Sequence, residues 1–104
     1  MLPKAKHLDE GKVQLQWLLS MSGIDDVANV GAYGAAKYGQ NNYRSGSDYM
    51  RYLGSIVRHT AKFIRGETCD SESTLPHLAH VAYNALIIME WMKTGKGTDD
   101  RFKE

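Results

Sequence analysis

The sequence is poor in the features that mark several large classes of protein. It has one cysteine, Cys69, so no disulfide can form within the chain, as expected of a reducing cytoplasm. Thirteen Lys and Arg face twelve Asp and Glu, a net charge of +1. That balance excludes an ordinary basic nucleic-acid binder and an acidic tail protein, so no nucleic-acid polymer is expected as a partner. No long apolar run is present. The most apolar stretch, 79–92, is broken by His80, Asn84 and Glu90 and is too short and polar to cross a bilayer. The first residues, Met1 to His7, lack the apolar centre of a signal peptide. There is no strand alternation of useful length, no internal repeat and no low-complexity tract. Together these absences predict a cytoplasmic, membrane-free, all-α protein.

What the chain does have is enough for a core. Hydrophobic residues make up 42% and charged residues 24% of 104 positions, which supports one packed domain over 1–104. The expected ends, about 1–12 and 96–104, are polar or charged and are read as loosely ordered. The stretch 13–21 is apolar and fits either a short helix or an extended segment.

Three principal helices follow. The first begins near Ser22, with Asp25 and Asp26 in its first turn, and stops at Gly39. Its small residues, Ala28, Ala32, Ala35 and Ala36, allow another helix close. The second is capped by Ser45 or Ser47, carries an apolar stripe of Met50, Leu53, Val57, Ala61 and Ile64, and stops at Gly66. The third is capped by Thr74, has Pro76 in its first turn and ends at Gly95. Its apolar face is read as Leu78, Val81, Ala82, Ala85, Leu86 and Met89. Toward its end Leu86, Ile87, Ile88, Met89, Trp91 and Met92 leave few polar sides, so a small three-helix bundle completed by homo-oligomerisation, a dimer or larger, is expected.

Two polar clusters carry chemistry. His59 and Lys62 lie near the end of the second helix, Glu67, Asp70 and Glu72 in the next loop, and His77, His80 and Asn84 on one face of the third helix. A short loop makes the two helices antiparallel neighbours, which gathers three imidazoles and three carboxylates at one end. Imidazole suits zinc, manganese, iron, cobalt or nickel, and carboxylates suit magnesium or manganese. The same residues also fit a solvated acidic loop with half-buried histidines. The second cluster, Lys37-Tyr38-Gly39-Gln40-Asn41-Asn42-Tyr43-Arg44, offers cations, aromatic faces and amides suited to phosphate and base. Taken alone, it fits better a polar helix end followed by a turn. The phosphate-loop glycine pattern and the His-Asp dipeptide of the HD phosphohydrolases are both absent. Cys69 has no second motif to support a nucleophile's role.

Taken together, Asp9-Glu10-Gly11-Lys12, Gly34-Ala35-Ala36-Lys37-Tyr38-Gly39, Asn41-Asn42-Tyr43-Arg44, Arg58-His59, Gly66-Glu67, Asp70, Glu72-Ser73 and His77-Leu78-Ala79-His80 resemble the dATP/dGTP diphosphohydrolases found mainly in bacteriophages. That family is related to the all-α, MazG-like nucleotide pyrophosphohydrolases. The resemblance implies hydrolysis of a purine (deoxy)nucleoside triphosphate to the monophosphate and pyrophosphate, a divalent metal (magnesium, manganese or cobalt, with zinc open) and a dimeric or tetrameric assembly. On this reading His59, Glu67, Asp70, His77 and His80 hold metal or support its ligands. Glu67 or Glu72 is the general base. Lys37, Asn41, Asn42, Arg44, Arg58 and Lys62 contact phosphates or base, and Tyr38 or Tyr43 stacks. The chain departs from the MazG-like pattern where Glu-x-x-Glu and Glu-x-x-Asp pairs are usual: those faces hold His59 with Lys62, and His77 with His80. Tyr43 replaces a usual tryptophan, and Thr74 a frequent glycine. The missing carboxylates leave a non-catalytic nucleotide-binding or nucleotide-sequestering phage protein as the alternative, with a plain interaction module as a third reading.

Overall fold

The computed structural model describes residues 11–103, so most of the expected loose arm at 1–12 lies outside the described residues. Among the described residues the chain is all-α. It forms α1 (Leu15–Leu19), α2 (Gly23–Tyr38), a 3-10 turn (Asn42–Ser45), α3 (Tyr49–Ile64) and α4 (His77–Thr94), with two isolated bridges and no strand. Among the described residues no helix is long and apolar enough to cross a membrane.

The three long helices match the three expected, with corrected starts. Asp25 and Asp26 do sit in the first turn of α2, but the Ser22 side chain makes no cap bond. At the start of α3 the cap position is Asp48, extended at φ −73°, and not Ser45 or Ser47. Pro76 occupies the cap position of α4, while Thr74 lies two residues earlier with φ +64°. Glycines end α2 and α4 at Gly39 and Gly95, both at positive φ, and Gly66 follows α3 in the same region.

Helices α3 and α4 run antiparallel: His59 meets His77 near one end, and Tyr52 packs edge-on against Trp91 near the other. The core is Tyr49, Ile87, Ile88 and Trp91, with Tyr43, Tyr52, Leu53, Ile56 and Tyr83 packed around it. Trp91 is 1% exposed, and its indole N–H donates to the carbonyl oxygen of Tyr43 at 2.6 Å. That hydrogen bond is what lets so large a polar-tipped ring be buried.

The apolar stripes read from the sequence face this core only in part, through Leu53. Val57 and Ile64 of α3, and Leu78, Leu86 and Met89 of α4, are exposed in the single chain. The inward face of α3 is Tyr49, Tyr52, Leu53 and Ile56, and that of α4 is His77, Ile87, Ile88 and Trp91. Aromatic and imidazole groups took inward positions that a purely aliphatic count assigns elsewhere.

The charged tail is also tied down at its start. Thr98 donates to Ser47 O at 3.0 Å, Tyr49 N–H donates to Thr98 O at 2.9 Å, and Met50 N–H donates to Asp100 Oδ1 at 2.9 Å. These bonds use amides in the first turn of α3 that have no partner within the helix. Gly97 fits against Ser47 O and the Trp91 ring, and Gly46 against Gly97 N, all too close for a side chain.

Candidate functional site

The loop from 65 to 76 builds one end of the site with its own backbone. Glu67 N–H donates to Lys62 O, Asp70 N–H to Leu75 O at 2.8 Å, Thr74 N–H to Asp70 O at 2.8 Å, and His77 N–H to Thr68 O at 2.9 Å. The side chain of Asp70 accepts from Ser73 N–H at 2.8 Å. Burial pushes the Asp70 carboxyl up, but the Ser73 donors, backwards through N–H and hydroxyl, and the nearby His80 and His59 outweigh it and hold it below the usual range.

His77 is fully buried, and both ring nitrogens are engaged. Nε2 lies 2.9 Å from Glu67 Oε1, and Nδ1 lies 2.8 Å from His59 Nδ1. A carboxylate oxygen accepts, so His77 carries a proton on Nε2, and its Nδ1 faces His59 Nδ1. Two lone pairs cannot point at each other unopposed. Either one ring donates from Nδ1 to the other, or both nitrogens turn to a shared cation beside them. His59 stacks face to face on His80, centroids 4.5 Å apart and planes within 5°. His80 in turn places Nε2 2.7 Å from Ser73 Oγ. Burial first, then each other's proximity or that of His77, lowers the pKa of both exposed-edge imidazoles His59 and His80.

Ligand atoms of His59, Asp70 and His77 all lie within 4.8 Å of one another. Two imidazole nitrogens and a carboxylate oxygen are a sound donor set for a first-row divalent ion. The Glu67 carboxylate behind His77 is the partner a metal-bound imidazole ordinarily has. The residues present therefore fit a metal.

Across the gap, Lys37 Nζ pairs with Glu72 Oε1 at 2.5 Å. That contact raises the Lys37 ammonium and, with the Tyr33 hydroxyl, lowers the Glu72 carboxyl. From here a cleft of about 820 Å³ runs between α2, α3 and α4 to Trp91. Of the residues singled out in the sequence, Lys37, Tyr38, Asn41, Asn42, Tyr43, Arg58, His59, Lys62, Asp70, Glu72 and His80 line it. Three do not. His77 is buried behind the wall, Glu67 turns to His77, and Arg44 lies over the Tyr43 ring at 5.9 Å. Sequence reasoning passed over Tyr33, Ser55, Tyr52, Ser73 and Tyr83. Ser55 and Tyr52 sit one and two turns before His59 on the same helix face, which was a usable signal. Tyr83 packs on Gly31, where an added Cβ would stand 3.3 Å from its hydroxyl, so the small residues of α2 do admit a neighbour closely. Burial and the neighbouring Tyr43 and Tyr52 raise the Tyr83 hydroxyl.

These features define the class of protein: a small all-α domain with a ligand-sized cleft between its helices, metal-compatible at one end and lined with tyrosines at the other. The profile of the family described as dATP/dGTP diphosphohydrolase, N-terminal, matches residues 3–101, and the chain belongs to that family. A protein of Salmonella phage PMBT28 named dATP/dGTP diphosphohydrolase is 33% identical over 92 residues, covering 88% of this chain and 31% of the relative. The chain thus spans less than a third of that relative's length. No solved structure matches it.

Proposed function

We propose that this chain is a metal-dependent purine (deoxy)nucleoside triphosphate pyrophosphohydrolase, releasing the monophosphate and pyrophosphate. The observation that carries the reading is the polarity of the cleft. The donor set of His59, Asp70 and His77 stands at one end with Lys37, Arg58, Lys62 and the Tyr33 and Tyr38 rings beside Lys37, and Tyr43, Tyr52 and Arg51 line the cleft toward Trp91. Phosphates suit the first end and a planar base the second. The family name of the phage relative points the same way.

His59, Asp70 and His77 would hold the ion, with His80 and Glu67 supporting them. Such an ion supplies charge neutralisation at the phosphates and a more acidic bound water. The two imidazoles favour manganese or cobalt over magnesium, and leave zinc open. In the reaction a water oxygen attacks the α-phosphorus, the bond to the α–β bridging oxygen breaks, and pyrophosphate departs. Arg58 and Lys62 line the cleft where they can clamp the leaving pyrophosphate. Both carboxylates considered as base are paired, Glu67 with His77 and Glu72 with Lys37, but Glu72 alone of the two lines the cleft, so it takes the proton from water. Lys37 holds Glu72 ionised and in place. Tyr38 and Tyr43 face the base, with Asn41 and Asn42 beside them.

Incubation with each dNTP and magnesium, manganese or cobalt tests the proposal. Monophosphate and pyrophosphate in equal amounts are expected. Orthophosphate alone, or no turnover with any metal, overturns it. Replacement of carboxylates by His59 and His77 supports a second reading, in which the nucleotide is held but not cut. Intact nucleotide recovered after heating the complex would establish that reading instead.

A further inference from the structure

The middle of the cleft holds a polar pair that the proposed chemistry does not use. Asn84 Nδ2–H donates to Ser55 Oγ at 3.2 Å, across the gap between α4 and α3. Both residues are half-buried and both line the cleft. Among the described residues, the Asn84 carbonyl oxygen and second N–H have no protein partner. These free atoms of the amide are open to the cleft, where water or a ligand can reach them. Ser55 fixes the amide in place and leaves those atoms for a ligand.

The position of the pair along the cleft limits what the ligand group can be. His80, Asn84, Ile87 and Trp91 all line the cleft from α4. At the helical rise of about 1.5 Å per residue, Asn84 lies about 6 Å beyond His80, and Trp91 about 10 Å beyond Asn84. Ser55 lies one turn from His59 on the antiparallel helix, at the same level. The donor end, with Arg58 and Lys62, is thus one turn to one side, and Arg51 lines the cleft one turn to the other. Tyr43 and Tyr52, packed against the Trp91 cluster, are also on that other side, and Tyr83 of the same cluster stands beside Asn84 on α4. With phosphates at the histidine end and the base at the tyrosine end, the group at the level of Asn84 is the sugar.

We propose that Asn84, positioned by Ser55, recognises the sugar of the nucleotide through a hydrogen bond to its 3′-hydroxyl, while Tyr43 and Tyr52 receive the base. This rests on the nucleotide reading above. Asn84 is a specificity residue that touches substrate, and Ser55 is a positioning residue that acts through it.

Removing either partner of the proposed bond tests it. Calorimetric Kd and steady-state KM are measured for dGTP and dATP against their 2′,3′-dideoxy forms, with wild type, Asn84→Ala and Ser55→Ala. Wild type is expected to bind the dideoxy forms about tenfold more weakly. Asn84→Ala loses a similar factor for dGTP and dATP, chiefly in KM, and nothing further for the dideoxy forms. Ser55→Ala shows the same pattern, more weakly. Should Asn84→Ala fail to fold, the wild-type comparison and Ser55→Ala decide. Equal binding of dGTP and dideoxy-GTP by wild type overturns the proposal, as does an equal loss for both in Asn84→Ala. Those outcomes leave the nucleotide reading standing. Absence of any nucleotide binding by wild type removes both.

Discussion

Thr74 sits in the left-handed region at φ +64°, where a β-branched side chain is disfavoured by roughly 1–2 kcal/mol. Its hydroxyl donates to Ser73 O at 2.5 Å, a local bond that recovers part of that cost. Thr74→Gly removes the steric conflict and adds chain entropy to the unfolded state. The expected net effect is a gain of about 0.5–1 kcal/mol, read as a higher urea midpoint with unchanged slope. A lower midpoint would mean that the hydroxyl bond outweighs the backbone conflict. Glu67 is a second residue whose effect can be anticipated. Glu67→Gln no longer enforces the proton on His77 Nε2, so manganese affinity is expected to fall about 10–100-fold by calorimetry. Unchanged affinity would show that the carboxylate does not govern the ligand tautomer.

Among elements, the crossing of the 42–48 segment with the tail is the tightest contact. A Cβ at Gly46 would lie 2.5 Å from Gly97 N, and Gly46 itself has φ +80°. Gly46→Ala is therefore expected to cost about 2–3 kcal/mol and to loosen the tail from α3. Hydrogen exchange at the Tyr49 and Thr98 amides would report it, and unchanged protection there would refute the account. The α3–α4 pairing carries its own pH dependence. Burial holds His59 and His80 below the ordinary imidazole pKa, so the unfolded chain binds protons first on acidification. Stability of the metal-free protein is expected to be level above about pH 6.5 and to fall below it, down through the lowered folded-state values. Urea midpoints between pH 8 and 5 in chelator check this. An acid limb that survives in a His59→Gln, His80→Gln double variant would assign it to other groups.

At the scale of the whole molecule, Val57 and Ile64 of α3 and Leu78, Leu86 and Met89 of α4 are left exposed by the single chain, as are Val13, Leu15, Trp17, Leu18, Leu19 and Met21. We propose that a second copy covers those of α3 and α4, as expected for a chain of this size. Leu86→Glu with Met89→Glu should then halve the mass seen by light scattering at micromolar concentration and leave the helical content intact. A wild-type mass of 11.7 kDa under those conditions rules the assembly out.

The local signals in the sequence determined the three long helices, because glycine stops, polar loops and, for α2, an acidic first turn act within a few residues. They also determined which residues meet at the histidine end, since a short loop forces antiparallel neighbours and brings 59 beside 77. Family membership was legible for the same reason, as its motifs are short and contiguous. The tertiary structure alone decided which face of each helix turned inward. Burial of Trp91, Tyr49 and Tyr52 around one another overrode the aliphatic stripes, and periodicity does not reveal that Trp91 would find Tyr43 O for its N–H. It also decided the division of labour among the acids. Glu67 and Glu72 lie in one polar loop, yet one turns to His77 and the other to Lys37, because their partners come from helices distant in sequence.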